Sequence, residues 1–345
     1  MLTRRDVVHH LLRLGLIAPA DLVDRRVTAN ESRGRNRLFQ VEVEGRGGYV
    51  VKEPLDASSP DASTMWIEAA IAWMSANEPV FAELARWMPR FHHYDEPNAI
   101  LTTELVAPAH SLYTVLMMEQ AKPETLRELG EVFALLHGPV SAILQQERAR
   151  KLFRTGPAWA LTLGTAQPMF APATNAGRTL LQRVMEYPGA LDAFARARAD
   201  WRDTHLIHGD AKAANVLVLP DGTIRVIDWE IAAIGDGLWD VAGFVHSLLL
   251  PQAGVAGDLA SAERRARPLL DALWDAYVNA LPEPPPGDDP RVTMLRLAGA
   301  RLVQMCLETT IFVDRIDPYL EGVLQMGFEL MTRPDEARAR WERAA

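Results

Sequence analysis

A chain of 345 residues is long enough for one large domain or for two lobes that each bury a core. With 48% hydrophobic and 23% charged residues, it has the usage of a globular protein rather than a disordered or collagenous one. The net charge of -9 argues against a general nucleic-acid binder, and the single Cys306 excludes an internal disulfide or a cysteine zinc scaffold.

At the start, Arg4 and Arg5 precede an apolar stretch broken by Asp6, His9, His10 and Arg13, which does not read as a signal peptide. No window approaches the ~20 apolar residues of a membrane span, so the cytoplasm is the expected location. Cys306 is expected to be a buried, inert thiol. Val7, Val8, Leu11, Leu12 and Leu14 recur at helical spacing, and Gly15 is placed to end the run. The period then changes to alternation through Phe39, Val41 and Val43. A Gly45-Arg46-Gly47-Gly48 turn leads into Tyr49-Val50-Val51-Lys52, which predicts two antiparallel strands. Ser63 is a candidate cap for a helix through Trp66, Ala70 and Trp73, and residues 100 to 106 read as a strand. The first ~105 residues are therefore mixed α/β, a layer of strands with a helix.

Beyond Pro108 the pattern turns helical. Leu126, Leu129, Val132, Phe133 and Leu136 lie between Pro123 and Gly138, the expected start and stop signals. Residues 155 to 177 lack a period and read as an irregular crossing beside an acceptor site. Helices are expected over 259 to 280 and 291 to 312, separated by the proline-rich stretch 282 to 287.

The informative segment runs from Leu206 to Asp228. Two apolar runs flank Pro220-Asp221-Gly222, a turn in which proline presets φ and glycine accepts positive φ. A hairpin with that turn brings its open ends together, so Asn215 and Asp228 are expected at roughly the ~5 Å separation of cross-strand partners. An Asn carbonyl and an Asp carboxylate suit Mg²⁺, which takes few protein ligands and completes its octahedron with water and phosphate. Asp210 enters the same hairpin.

His208-Gly209-Asp210, Asn215 and Ile227-Asp228-Trp229-Glu230 together resemble the aminoglycoside phosphotransferase and choline kinase superfamily, relatives of the protein kinases. That resemblance implies an α+β, two-lobed protein-kinase-like fold. Residues 1 to 106 would form a small antiparallel-sheet lobe that binds nucleotide, and residues 107 to 345 a larger, mainly helical lobe for catalysis and the acceptor. ATP and Mg²⁺ are the implied cofactors. Asp210 would orient and deprotonate the acceptor hydroxyl, and Lys212 would neutralise charge during transfer. Asn215 and Asp228 would hold metal. Lys52, paired with Glu68, would hold the α- and β-phosphates, and Glu104 to Val106 would form the hinge that meets adenine. Asp240, in Gly235-Asp236-Gly237-Leu238-Trp239-Asp240, would brace the catalytic loop. The phosphate-covering loop corresponds to residues 30 to 37, including Ser32, Arg33 and Gly34. It has one glycine, and its arginines Arg33, Arg35 and Arg37 take the place of a glycine-rich run.

Each of these residues also has a plainer reading. Asp210 and Asp228 read as turn residues, Lys52 as a strand-end lysine, Glu68 as a helix-surface carboxylate, Lys212 as a surface lysine and the arginines as a solvated turn. His208 reads as a packing residue behind the loop, and Trp66, Trp73, Trp87 and Trp239 as core. The acceptor stays open between a Ser or Thr of a ribosomal precursor peptide, as in lanthipeptide and thioamitide maturation, and an antibiotic, choline-like or sugar-like small molecule. Arg35-Asn36-Arg37, the downstream Gly48-Tyr49-Val50-Val51-Lys52 and Lys212 incline the reading to the peptide. Glu308, Asp314, Asp317 and Glu321 are candidates for the acidic floor that an aminoglycoside would want. A regulatory pseudokinase is the alternative from another class.

Overall fold

The structure, a computed structural model, describes residues 2–34, 36–55, 61–165, 170–256 and 259–343, without the side chains of 61–63, 253–256 and 259–260. In chain order the first elements are α1 (Arg4–Arg13), α2 (Pro19–Asp24), β1 (Val27–Arg33), β2 (Asn36–Val43), β3 (Gly47–Pro54), α3 (Asp61–Asn77), β4 (Phe91–Asp95), β5 (Ile100–Glu104) and β6 (His110–Ser111). Next come α4 (Leu112–Met117), α5 (Pro123–His137), α6 (Glu147–Arg150), α7 (Asn175–Glu186), α8 (Ala190–Asp200), β7 (His205–Ile207), β8 (Val216–Val218), β9 (Ile224–Val226) and β10 (Ala233–Gly235). The chain finishes with α9 (Gly237–Ala256), α10 (Leu259–Ala280), α11 (Pro290–Phe312), α12 (Pro318–Thr332) and α13 (Pro334–Arg343). No helix among the described residues is long and apolar enough to cross a membrane.

Two compact units divide these elements. The first comprises residues 1–112 together with 215–232, and the second residues 113–214 together with 233–345. Five strands of the first unit make an antiparallel sheet in the order β1-β2-β3-β5-β4. Alternation along β2 sends Phe39, Val41 and Val43 to a core shared with Val7, Leu11 and Ile17 around α1. Helix α1 is fixed at its start by a capping box, with the Thr3 hydroxyl accepting from the Asp6 backbone N–H and the Asp6 carboxylate accepting from Thr3. The other face of the sheet meets α3 through Met65, Ala69 and Ala72, against Leu101.

Several expectations shift here. Helix α3 begins at Asp61, so Ser63, whose side chain lies outside the described residues, stands inside the first turn rather than ahead of it. Its buried stripe is Met65, Ala69 and Ala72, and Trp73 is 45% exposed instead of core. Spacings of three and four put Glu68 on that inward stripe, which places its carboxylate beside the sheet. Residues 30–37 are not an open loop: β1 runs to Arg33 and β2 starts at Asn36, with Arg33 opposite Arg37, while Arg35 lies outside the described residues.

The second unit is helical, with a two-stranded piece formed by β7 and β10. Helix α9 carries buried residues from Leu238 through Leu249, and α11 is buried along most of its length, as befits helices surrounded by others. Pro123 opens α5 and Gly138 caps it.

Candidate active site

In the first unit, β8 and β9 form the expected hairpin, with Val216 opposite Val226 and Val218 opposite Ile224. Gly222 takes φ +88°, and the Asp221 carboxylate accepts from the Thr223 backbone N–H at 3.0 Å, the turn chemistry read in the sequence. The Ile227 N–H donates to the Asn215 carbonyl at 2.9 Å, which fixes the open end. Beyond it Asp228 adopts φ +69°, in the left-handed region that a non-glycine residue seldom occupies.

A cavity of about 570 Å³ lies in this unit. Its lining takes in Lys52, Glu68, Asn215 and Asp228, and also Ser32, Arg33, Gly34, Glu104 and Val106, so the residues expected to hold nucleotide and metal share one hollow. Lys52 is the centre of its polar part, with Nζ 2.7 Å from Glu68 Oε2, 2.6 Å from Asp228 Oδ1 and 3.6 Å from Glu230 Oε2. Burial disfavours the ammonium, but Glu68, Asp228 and Glu230 outweigh it and hold the Lys52 pKa above the ordinary lysine range. Burial also pushes the Glu68 carboxyl up, against the downward pull of Lys52. Elsewhere the lining is apolar, with Leu38, Val50, Leu101, Leu217 and Ile227. Such a hollow suits a flat base at one part and phosphates at another.

Two members of this site were not expected from sequence. Asn36 donates from Nδ2 to Glu230 Oε2 at 2.8 Å, tying the start of β2 to the segment after Asp228. Its Oδ1 is buried without a hydrogen-bond partner among the described residues. Asn215, Asp228 and Glu230 carry the hard oxygen atoms that Mg²⁺ prefers, Lys52 carries donors that would suit phosphate, and the orphaned Asn36 oxygen is an acceptor that a bound ligand or water would satisfy, so the residue set fits a metal–nucleotide pair. Glu68, Asp228 and Glu230 place one oxygen each within 4.8 Å of one another. The arginines divide: Arg33 lines the cavity with Nε on Glu31 at 2.8 Å, whereas Arg37 is buried between Glu31 and Glu53, each at 3.0 Å. Glu104 is held against Arg90 on both sides, its carboxylate accepting from the Arg90 N–H at 3.1 Å and its own N–H donating to the Arg90 carbonyl at 2.9 Å.

The second unit holds Asp210. Lys212 Nζ lies 2.6 Å from its Oδ2, and Arg301 Nη2 lies 3.5 Å from its Oδ1. Burial alone would raise the Asp210 pKa, but Arg301 and Lys212 hold it below the usual carboxylate value. Arg301 also donates to the carbonyls of Gly209 at 2.9 Å and Ala211 at 3.2 Å, and its guanidinium lies 4.9 Å from the Trp239 ring centroid. Asp240 accepts from the backbone N–H of His208 at 2.7 Å and of Gly209 at 2.9 Å, while its Oδ2 meets His137 Nε2 at 3.1 Å. His208 is buried, and its Nδ1 accepts from the Asp210 N–H at 3.3 Å. Gly243 of α9 lets this loop come close, since a Cβ there would lie 2.0 Å from the Ala211 carbonyl oxygen. Arg301 carried no sequence signal. It sits ninety-one residues after Asp210 on a helix with no motif around it.

The four acidic candidates for an acceptor floor are in the second unit, each with a donor. Glu308 accepts from Trp159 and Gln304, Asp314 from the Ala176 N–H, Asp317 from the Leu320 N–H at the start of α12, and Glu321 from Arg183.

A small antiparallel sheet unit, a larger helical unit and this pair of sites define a protein-kinase-like phosphotransferase with an alcohol group as acceptor. Residues 26–282 match the phosphotransferase enzyme family, and the chain belongs to that family. Solved structures of the same fold include a choline/ethanolamine kinase family protein from Mesorhizobium loti, with 16% identity, 97% of each chain covered and a TM-score of 0.57. Spectinomycin phosphotransferase in complex with ADP and spectinomycin is 13% identical over 89% of this chain and 92% of that one, with a TM-score of 0.50. The GDP complex of an aminoglycoside 2'-phosphotransferase-IIIa variant is 16% identical over 99% of this chain and 100% of that one, at 0.51. No curated protein matches the chain by sequence.

Proposed function

We propose that the enzyme moves the γ-phosphoryl group of ATP, with Mg²⁺, to the hydroxyl of a small molecule. The observation that carries this reading is Lys52, with Nζ 2.7 Å from Glu68 and 2.6 Å from Asp228, in the cavity that Asn215 also lines. When bound, ATP supplies the phosphoryl group, and Mg²⁺ supplies the positive charge that offsets it. Asn215 and Asp228 present the metal ligands, and Lys52 donates to phosphate oxygens, its charge secured by Glu68. Ser32, Arg33 and Gly34 cover the phosphates from the turn between β1 and β2, and the backbone of Glu104 to Val106 receives the base. Asp210 orients the acceptor hydroxyl and takes its proton, with Lys212 beside it to neutralise developing charge. Residues 1 to 106 belong to the nucleotide role and 107 to 345 to catalysis and the acceptor, save that the metal ligands at 215 and 228 group with the first unit.

A small molecule is favoured over a peptide Ser or Thr because two residues of the basic segment that pointed to a peptide are otherwise engaged. Arg37 is enclosed by Glu31 and Glu53, and Asn36 is bound to Glu230. The solved structures of this fold include enzymes described as choline/ethanolamine kinase and aminoglycoside phosphotransferase, which sets the panel. ADP release should be measured with ATP and Mg²⁺ against choline, ethanolamine, spectinomycin, an aminoglycoside and Ser- or Thr-bearing peptides. Turnover on a small hydroxyl compound, lost in Asp228→Ala together with metal-dependent ATP affinity by calorimetry, is the expected result. Turnover on a peptide alone overturns the acceptor assignment, and ATP binding without transfer to any acceptor overturns the phosphoryl-transfer reading.

A further inference from the structure

A second hollow, of about 420 Å³, lies wholly within the helical unit and contains none of the candidate active-site residues. Its floor is apolar, built from Val245 and Leu249 of α9, Leu295 of α11 and Leu330 of α12. Its rim is basic. Arg264, Arg340 and Arg343 are exposed around it, Arg267 stands deeper, and Glu263 is the one acid in the lining among the described residues. Four arginines against one acid is a marked local excess in a chain of net charge -9.

Two of these cations are not used up by the fold. Arg340 and Arg343 have no ion-pair partner among the described residues, unlike their neighbour Arg338, which is held by Asp289 and Glu342. The wall is built rather than loose: Asp271 accepts from Arg267 Nε at 3.3 Å and from Trp341 Nε1 at 2.6 Å, which pins α13 to α10. Arg267 Nη1 is buried with no hydrogen-bond partner among the described residues. Asp271 balances the Arg267 charge, so the field that favours an anion at the mouth comes from the unpaired Arg340 and Arg343. Helix α9 has Val245 and Leu249 in this hollow, and between them Ser247 accepts from the Ala213 N–H at 3.2 Å, in the loop that carries Asp210.

We propose that this hollow binds a small amphipathic carboxylate, its apolar tail on Val245, Leu249, Leu295 and Leu330 and its head among Arg264, Arg340 and Arg343. The volume is that of a small-molecule site, and the apolar floor beneath a cationic rim matches the two ends of such a ligand. The tail contributes by leaving water and the head by charge complementarity.

Calorimetric titration of the full chain with decanoate, below its micelle concentration, tests this. One saturable site per chain is expected, with octanoate roughly fifteenfold weaker for the two methylenes it lacks. Decyltrimethylammonium, with the same tail and a cationic head, should not bind there. The surface double variant Arg340→Glu/Arg343→Glu should weaken decanoate by about tenfold while its circular dichroism and melting stay those of the parent. Heat that grows linearly without saturation overturns the site, equal binding of the cationic amphiphile overturns the charge assignment, and an unchanged affinity in the double variant removes the rim from it.

Discussion

Asp210 stands between two cations, Lys212 at 2.6 Å and Arg301 at 3.5 Å, and the competition between burial and those charges fixes how it titrates. If it takes the acceptor proton, Asp210→Asn should leave ATP and Mg²⁺ affinity unchanged. Such a change lowers kcat by ~10²–10⁴-fold, about 3 to 5 kcal/mol at the transition state. Single-turnover transfer at saturating ATP measures it, and an unchanged rate would remove Asp210 from the chemistry. Arg301 permits a test by pH. Its charge lowers the Asp210 pKa, so the reactive carboxylate persists into acid. With Arg301→Met that influence is lost, burial then raises the pKa, and the acid limb of the kcat/KM profile moves to higher pH. Arg301→Lys should restore much of the limb, whereas equal limbs in the parent and both variants would leave Arg301 a packing residue. Of this constellation, Asp210 and Lys212 were legible because they fall in one short run with kinase-like spacing, and Asp240 because it ends a second short stretch, Gly235 to Asp240. Arg301 reaches the loop only through tertiary packing, and Asn36 reads in sequence as one more polar residue between two arginines.

At the scale of elements, the chain announced what is periodic or punctuated. The hairpin around Pro220-Asp221-Gly222, α5 between its proline and glycine, and the strands at Phe39 and Tyr49 follow from local rules. Strands β1 and β4 did not stand out, because edge strands such as Val-Thr-Ala-Asn-Glu-Ser-Arg carry little apolar alternation. Helix α9 hid for the opposite reason: apolar nearly all round, it shows no stripe. Gly48 ties two elements together, since a Cβ there would meet the Val41 carbonyl oxygen at 2.4 Å and Leu105 Cδ2 at 2.9 Å, while its own carbonyl accepts from the Leu105 N–H at 2.9 Å. Gly48→Ala should therefore destabilise the first unit by roughly 1–3 kcal/mol. It should also weaken ATP binding, because Leu105 lines the cavity proposed to hold the nucleotide. Urea unfolding and calorimetry read the two effects. A variant as stable as the parent would show that the strand shifts at little cost.

For the whole molecule, Cys306 is a built-in reporter. It is buried, its Sγ faces the Leu320 carbonyl at 3.7 Å, and burial pushes the thiol pKa up to about 12. A thiol reagent therefore labels it only when the helical unit opens. ATP with Mg²⁺ at a hundred times its Kd stabilises the folded state by about 2.7 kcal/mol, so labelling should slow by ~100-fold if the two units open together. Labelling that ignores ATP would show that the helical unit opens alone. The division of the first unit between residues 1–112 and 215–232 has a further consequence, in time rather than in space. On the ribosome the five-stranded sheet is made long before β8, the strand that pairs with β6, has been synthesised. At ~5–20 residues per second, the intervening hundred residues take roughly 5 to 20 s. Throughout that interval Lys52 and Glu68 exist without Asn215, Asp228 or Glu230. The nascent chain thus acquires its lysine–glutamate pair first and its candidate metal ligands later, so on the proposed function metal-dependent capture of nucleotide waits until synthesis has passed Asp228.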